Sequence, residues 1–209
     1  MTVFAPAKPE FDFTVDWFSV NIPLWSELNK WMSGFDKFLE IGSLEGRSAC
    51  WLMQNLLSET GTMVCIDTWD GNPEIAPDLV LESYDRFMHN TQLATRPKQH
   101  LEVYRQDSVR ALARLLATDQ STFDFIYIDG SHEACDVLTD ACLSWPLLKP
   151  GGILVFDDYL LGTDIGGIDM LHRPKSAVDA FTSLFNSQMQ TVSCGLQYIV
   201  RKLDVHKLE

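Results

Sequence analysis

Basic residues are scarce in this chain: 16 Lys and Arg stand against 29 Asp and Glu, a formal net charge of -13 over 209 residues. No stretch gathers Lys or Arg as a phosphate-tracking surface must, so a nucleic-acid partner is not expected. Cysteine is also sparse. The five present are an odd number with no C-x-x-C spacing, which argues against a disulfide framework and for a reducing compartment. No run approaches the ~20 apolar residues that span a bilayer, and Met1 to Asp16 lacks the basic start and apolar stretch of a signal peptide. The expectation is a cytoplasmic protein with no membrane partner. Two glycine fingerprints are missing as well. Leu44 stands where a dinucleotide G-x-G-x-x-G loop needs its second glycine, and no Walker-type Gly-Lys-Ser/Thr is present.

What is present is an alternation. Short runs rich in β-formers lie at Lys37–Gly42, Met63–Asp67, Leu101–Tyr104, Phe123–Asp129 and Ile153–Asp157, and most of them end on an acid. Segments of helical length lie between and after them: Arg47–Leu57, Leu79–Leu93, Ser108–Ala117 and His132–Leu147. Parallel neighbours need a crossover that a helix supplies, so this order predicts an α/β fold, a parallel sheet with helices on both faces. Lys149-Pro150-Gly151-Gly152 reads as the turn that stops the fourth helix and delivers the fifth strand. A loop with Gly162, Gly166 and Gly167 follows, then a helix over Lys175–Asn186 and two last strands, Met189–Ser193 and Leu196–Arg201. So short a link between them predicts a hairpin, which puts one antiparallel strand into the sheet.

The chain is short enough for one domain at 36–209, preceded by a cap at 1–35. Phe4, Phe11, Phe13, Trp17, Phe18, Trp25 and Trp31 crowd into that segment, which reads as helical. They either cover a sheet face or form a substrate lid or homodimer surface.

The richest motif is Phe38-Leu39-Glu40-Ile41-Gly42-Ser43-Leu44-Glu45-Gly46-Arg47-Ser48, a strand that breaks at glycine and re-enters a helix. Gly42 and Gly46 permit close backbone approach, and this turn lies where open α/β sheets bind ligands. Without a diphosphate fingerprint, Glu40 suits a cationic guest, through its charge or through a water held against an ammonium group. Sulfonium plus ammonium describes S-adenosylmethionine. Asp67 ends the next strand, where a carboxylate can accept from both hydroxyls of a ribose. Trp69 can shield the adenosine, and Gln106-Asp107-Ser108 can read the adenine edge, although Asp107 could equally stabilise the start of the next helix.

If the fourth and fifth strands are neighbours, Asp129, Asp157 and Asp158 converge, and like charges that close need a proton or a cation. An oxygen-ligated Mg²⁺ is the expected metal, Cys ligands being absent. His132, three residues past Asp129 near a helix start that Ser131 could cap, is placed to take a proton from a substrate hydroxyl.

Taken together, Glu40-Ile41-Gly42-Ser43, Cys65-Ile66-Asp67-Thr68-Trp69, Ile128-Asp129-Gly130-Ser131-His132 and Leu148-Lys149-Pro150-Gly151-Gly152 leading to Asp157-Asp158-Tyr159 resemble the class I S-adenosylmethionine-dependent methyltransferases. Within them the chain is most similar to the small-molecule O-methyltransferase branch grouped with macrolide-sugar and cephalosporin-hydroxylase-like enzymes. Arg173-Pro174-Lys175-Ser176-Ala177-Val178-Asp179-Ala180-Phe181 is similar to the same branch. The resemblance implies a Rossmann-like three-layer fold with a seven-stranded sheet ordered 3-2-1-4-5-7-6. It also implies cofactor contacts at Glu40, Gly42, Ser43, Ser48, Asp67 and Asp107, metal ligands at Asp129, Asp157 and Asp158, and a general base at His132. Some relatives carry a Glu-Asp pair where Asp157-Asp158 stands, and others in the class use no metal. Residues 1–35 match no part of the family.

The expected activity is therefore metal-assisted O-methylation of a small hydroxylated molecule: a sugar, a phenol or a polyketide-like ring, in a pocket edged by Trp17, Trp25, Tyr159 and His172. Two other classes share the scaffold: an oxygen-inserting or nucleotide-cofactor enzyme, and a catalytically silent module that binds adenosylmethionine or a partner.

Overall fold

The computed structural model describes residues 10–71, 77–161 and 169–204. Phe4 and the glycines Gly162, Gly166 and Gly167 lie outside the described residues. Seven strands form one sheet: β1 (Lys37–Ile41), β2 (Thr62–Asp67), β3 (His100–Arg105), β4 (Phe123–Ile128), β5 (Leu148–Phe156), β6 (Met189–Cys194) and β7 (Tyr198–Lys202). Their order is β3-β2-β1-β4-β5-β7-β6, as the resemblance implies. Strands β1 to β5 run parallel, and β7 is antiparallel to both of its neighbours.

Alternation along the strands divides the core. Leu39 and Ile41 of β1, with Ile126 and Ile128 of β4, face one layer, where α5 (Ser108–Thr118), α6 (Ala134–Ser144) and α7 (Pro174–Leu184) bury Leu112, Leu115, Val137 and Phe181. Phe38, Phe125 and Tyr127 point the other way, to α2 (Arg47–Asn55) and α4 (Ser83–Ala94). Every residue of β4 is buried, as a central parallel strand covered on both faces requires.

On that second face the N-terminal segment covers the part of the sheet around Phe125, Ile153, Val155 and Ile199. It does so with one short helix, α1 (Ile22–Trp25), between 3-10 turns at Ser19–Asn21 and Leu28–Lys30. Trp25 is fully buried, with its ring edge-on to Phe125 at 5.3 Å and to Tyr127 at 4.9 Å. Phe18, Leu28 and Met32 join the same cluster, so covering the sheet is what these side chains do. Phe11, Trp17 and Trp31 stay exposed.

Local details depart from the sequence reading. The helix expected at Leu79–Leu93 is two, α3 (Pro77–Val80) and α4, separated where Glu82 turns left-handed at φ 64°. Lys149-Pro150-Gly151-Gly152 is not a turn before β5 but a bulge within it. The partner of Phe123 is Leu148 while that of Phe125 is Ile153, so the extra residues loop out. Pro150 cannot donate to a ladder, and Gly151 takes φ 84°, which together favour a bulge over regular pairing. Helix α6 begins at Ala134 after an extended Glu133, which leaves Ser131 and His132 in the preceding loop. Ser131 Oγ accepts from Glu133 N at 3.1 Å and is not the helix N-cap.

Candidate active site

The carboxyl ends of β1, β2, β3, β4 and β5 open into one cavity of about 1070 Å³. Gly42, Ser43, Ser48, Asp67, Trp69, Asp107, Ser108, Asp129, His132, Asp157 and Asp158 all line it. Trp17 lies at its edge; Trp25, Tyr159 and His172, also expected there, do not line it. Trp25 belongs to the core, the Tyr159 hydroxyl donates to Asp179, and His172 pairs with Glu133 at 2.7 Å.

At the β1 and β2 ends, one carboxylate organises the backbone. Asp67 Oδ2 accepts Ser43 N at 2.8 Å and Leu44 N at 2.9 Å, and Oδ1 accepts Trp69 N at 2.8 Å. Leu44 and Trp69 both take positive φ, 45° and 54°, a conformation that L residues hold only when their surroundings fix it. The three bonds to Asp67, together with Trp69 Nε1 donating to Leu44 O at 2.7 Å, supply that constraint. Gly42 is required by the chain itself. At φ 85° a Cβ would fall 2.0 Å from Asp129 O, so the ends of β1 and β4 pass too closely for any side chain.

Glu40 is fully buried and off the cavity wall. It accepts Ser43 Oγ at 2.6 Å and Ser48 Oγ at 2.5 Å, so it reaches the cavity through these two hydroxyls. Burial pushes its carboxyl up to about 7, against the pull of the two serines. Gly46 is also off the wall: at φ 78° it opens α2, and a Cβ would press on Phe87 of α4 at 2.9 Å. Asp107 caps α5, accepting Arg110 N at 3.0 Å, and also lines the cavity.

The β4 and β5 ends are built differently. Tyr127 donates towards Asp129 Oδ2 at 2.8 Å and is also in close contact with Asp157 Oδ2. Burial first, then the neighbouring Asp157 and Asp158, raise the Asp129 carboxyl well above the usual range; burial and Asp158 raise Asp157. A phenol has one hydrogen to offer two carboxylates, so the crowding there calls for a further proton or a cation. Gln197 Nε2 donates to Asp157 Oδ1 at 3.1 Å, and Trp25 Nε1 to Gln197 Oε1 at 2.7 Å. Beside this cluster His132 Nε2 meets Asp158 Oδ2 at 2.8 Å, Asp158 itself sitting at φ 54°.

Tyr127 and Gln197 were not singled out in the sequence. Tyr127 sits in the apolar run of β4 and reads as core; the available signal was that a buried phenol must find a polar partner. Nothing local marks Gln197. The three carboxylates offer only oxygen donors, which suits a hard cation. Yet among the described residues no group of three or more His, Cys, Asp or Glu is arranged to hold a metal ion, the Tyr127 hydroxyl standing between Asp129 and Asp157.

The family described as "Methyltransferase domain" matches residues 39–159, more than half of the chain. An uncharacterised protein of Acanthamoeba polyphaga mimivirus is 29% identical over 125 residues, which are 58% of this chain and 51% of the viral protein, so the match spans about half of that relative. Among solved structures, an O-methyltransferase from Bacillus cereus in complex with SAH superposes with a TM-score of 0.62 at 18% identity, covering 90% of this chain and 82% of that one. The O-methyltransferase TomG from Streptomyces achromogenes, in complex with SAM, gives 0.59 at 17%, covering 88% and 79%. MycE of the mycinamycin pathway, in complex with Mg and SAH, gives 0.61 at 16%, covering 90% and 51%. At these identities the likeness is one of fold.

Proposed function

The chain belongs to the methyltransferase-domain family, and from that premise we propose that it binds S-adenosylmethionine in the cavity and transfers the methyl group to a hydroxyl oxygen of a small molecule. The observation that carries this reading is the loop Gly42–Gly46, pinned by Asp67 and backed by Glu40, opening into the same cavity as His132 and the carboxylates. Asp67 has room beside its three backbone bonds to accept from a ribose hydroxyl, carboxylate oxygens offering about four acceptor positions. Ser43 and Ser48, whose hydroxyls donate to Glu40, would keep oxygen lone pairs for the ammonium of the methionine end, and Trp69, Asp107 and Ser108 would wall the base.

At the other end the acceptor hydroxyl must lose a proton as its oxygen attacks the methyl carbon. The C–O bond forms as the C–S bond breaks, and the sulfonium leaves as a neutral thioether. His132 is the base. Asp158 Oδ2, 2.8 Å from Nε2, would stabilise the imidazolium that forms when the ring takes the proton. Asp129 and Asp157 border the place where the acceptor oxygen would lie.

Asp129, Asp157 and Asp158 offer the oxygen-only donors that magnesium takes, and to hold it together they would have to exchange the Tyr127 hydroxyl that stands between Asp129 and Asp157 for the ion. When bound it would polarise the acceptor oxygen; the proton transfer to His132 is derived without it.

Methyl-tritiated S-adenosylmethionine offered with a panel of sugars, phenols and macrolides tests the transfer, and thermal shift with S-adenosylhomocysteine and with NAD tests the cofactor. Counts passing into a hydroxylated acceptor support the reading. Stabilisation by S-adenosylhomocysteine without transfer to any acceptor would favour a silent binding module, and stabilisation by NAD alone would favour a nucleotide-cofactor enzyme.

A further inference from the structure

Ahead of its apolar anchor, the N-terminal segment crosses the outside of the glycine loop, and there its contacts are polar. Asn90 of α4, fully buried, accepts Asp12 N at 2.7 Å and donates to Asp12 O at 2.8 Å and to Glu45 O at 2.9 Å. One side chain thus satisfies both backbone groups of Asp12 and holds the loop as well. Glu45, within that loop and 3% exposed, accepts Thr14 N at 2.7 Å and Thr14 Oγ1 at 2.6 Å. Arg47 donates to Val15 O at 2.9 Å and stacks over the Phe13 ring at 4.2 Å. The residues carried by these bonds, Val15, Asp16 and Trp17, line the cavity.

From Phe18 to Met32 the attachment is of another kind, with Phe18, Trp25, Leu28 and Met32 sunk into the core. Pulling that stretch away would expose a large apolar surface. Residues 12–17 can exchange their bonds for water, and once released their partners are solvated too, so parting them costs less than exposing that apolar surface. The segment therefore has a fixed hinge side and a releasable side, and the releasable side forms a wall of the cavity.

We propose that Glu45 and Asn90 are positioning residues that latch residues 12–17 over the glycine loop, and that the cofactor enters and leaves by release of this latch. The proposal rests on the cofactor reading above and adds the route to that site. Glu45 acts through Thr14, and Asn90 through Asp12.

The test is stopped-flow binding of S-adenosylhomocysteine to the full chain, followed by tryptophan fluorescence, since Trp17 and Trp69 both line the cavity. Glu45→Ala is expected to raise the association and dissociation rates together by at least about tenfold, with the dissociation constant shifted less than about threefold. Glu45→Gln, whose amide oxygen keeps one of the two bonds to Thr14, should fall between. If Glu45→Ala does not fold, Thr14→Val removes the hydroxyl from the strap side and leaves the loop intact; a smaller rise in both rates is expected. Unchanged rates in Glu45→Ala and Thr14→Val would overturn the latch while leaving the cofactor reading in place. A rise in dissociation alone would also overturn it, because the residues would then only support the bound state. If S-adenosylhomocysteine does not bind the unaltered protein, the cofactor reading itself fails and the latch with it.

Discussion

Asp67 and Asp129 both stand at the carboxyl ends of buried parallel strands and line the same cavity, yet their carboxylates are treated in opposite ways. Asp67 receives three backbone N–H bonds from the loops on either side of it. Asp129 receives one phenol, shared with Asp157, and burial, then the neighbouring Asp157 and Asp158, push its carboxyl up. The first arrangement satisfies its charge within the fold and is rigid before any ligand arrives. The second leaves charge crowded, which suits the end of a cavity where protons move. Shape recognition at one end and charge management at the other is the division of labour that the proposed methyl transfer would use.

Separating the two ends by mutation is the sharpest way to break this comparison. The largest effect is expected at the charge-managing end: His132→Ala should lower turnover by roughly 10² to 10⁴ while leaving S-adenosylhomocysteine affinity within about twofold. Single-turnover transfer alongside calorimetry measures both, and parallel loss of rate and affinity would merge the two ends.

Next comes the rigid end. Asp67→Ala removes three charge-assisted bonds from two loops that each hold a left-handed residue, and should weaken S-adenosylhomocysteine at least about tenfold. Calorimetry on Asp67→Ala and Asp129→Asn side by side sharpens the contrast, since the second should bind nearly as well as the unaltered chain. Equal affinities in all three would mean that Asp67 holds nothing the cofactor needs.

A third effect concerns the cation. Chelation should reduce turnover, and Mg²⁺ or Mn²⁺ should restore it, with Asp158→Asn needing more metal for half-maximal rate. Full turnover in chelator would leave the crowding of Asp129 and Asp157 to a shared proton.

The smallest effect is a pH dependence at Glu40. Its folded value, about 7, lies above the ordinary carboxyl value of 4.5, so the folded state binds the proton more tightly than the unfolded state does. Its contribution to stability is therefore full below about 4.5 and is lost as pH rises towards 7. A cationic guest favours the ionised form, so S-adenosylmethionine affinity should rise by a few-fold through the same window and level off above it. Glu40→Gln should flatten that rise; an unchanged slope would separate Glu40 from the cofactor.

Much of this was legible in the chain because strand periodicity and acidic strand ends are local signals. The run Phe38, Leu39, Glu40 and Ile41, short and rich in β-formers, announced a strand, and Gly42 announced its break. Gly46 was misread as an approach point for a ligand, since only the fold brings Phe87 against it. The Lys149–Gly152 bulge was read as a turn for a similar reason: whether proline and glycine end a strand or interrupt it depends on the partner strand, which is distant in sequence. Gln197 and Asn90 escaped notice because their partners lie 40 and 78 residues away. Trp25 was expected at the cavity edge and belongs to the core, because a large aromatic gives no sign in the sequence of which surface it will cover. Trp25→Ala, by that placement, should destabilise the chain by about 3–5 kcal/mol.

If the cavity above β1 and β2 is built for an adenosyl sulfonium cofactor, calorimetric titration of S-adenosylhomocysteine into the unaltered chain shows it without knowledge of the acceptor. One saturable site per chain is expected, with NAD giving no competing heat. Saturable binding of NAD with none of S-adenosylhomocysteine, or no binding of either, would contradict it.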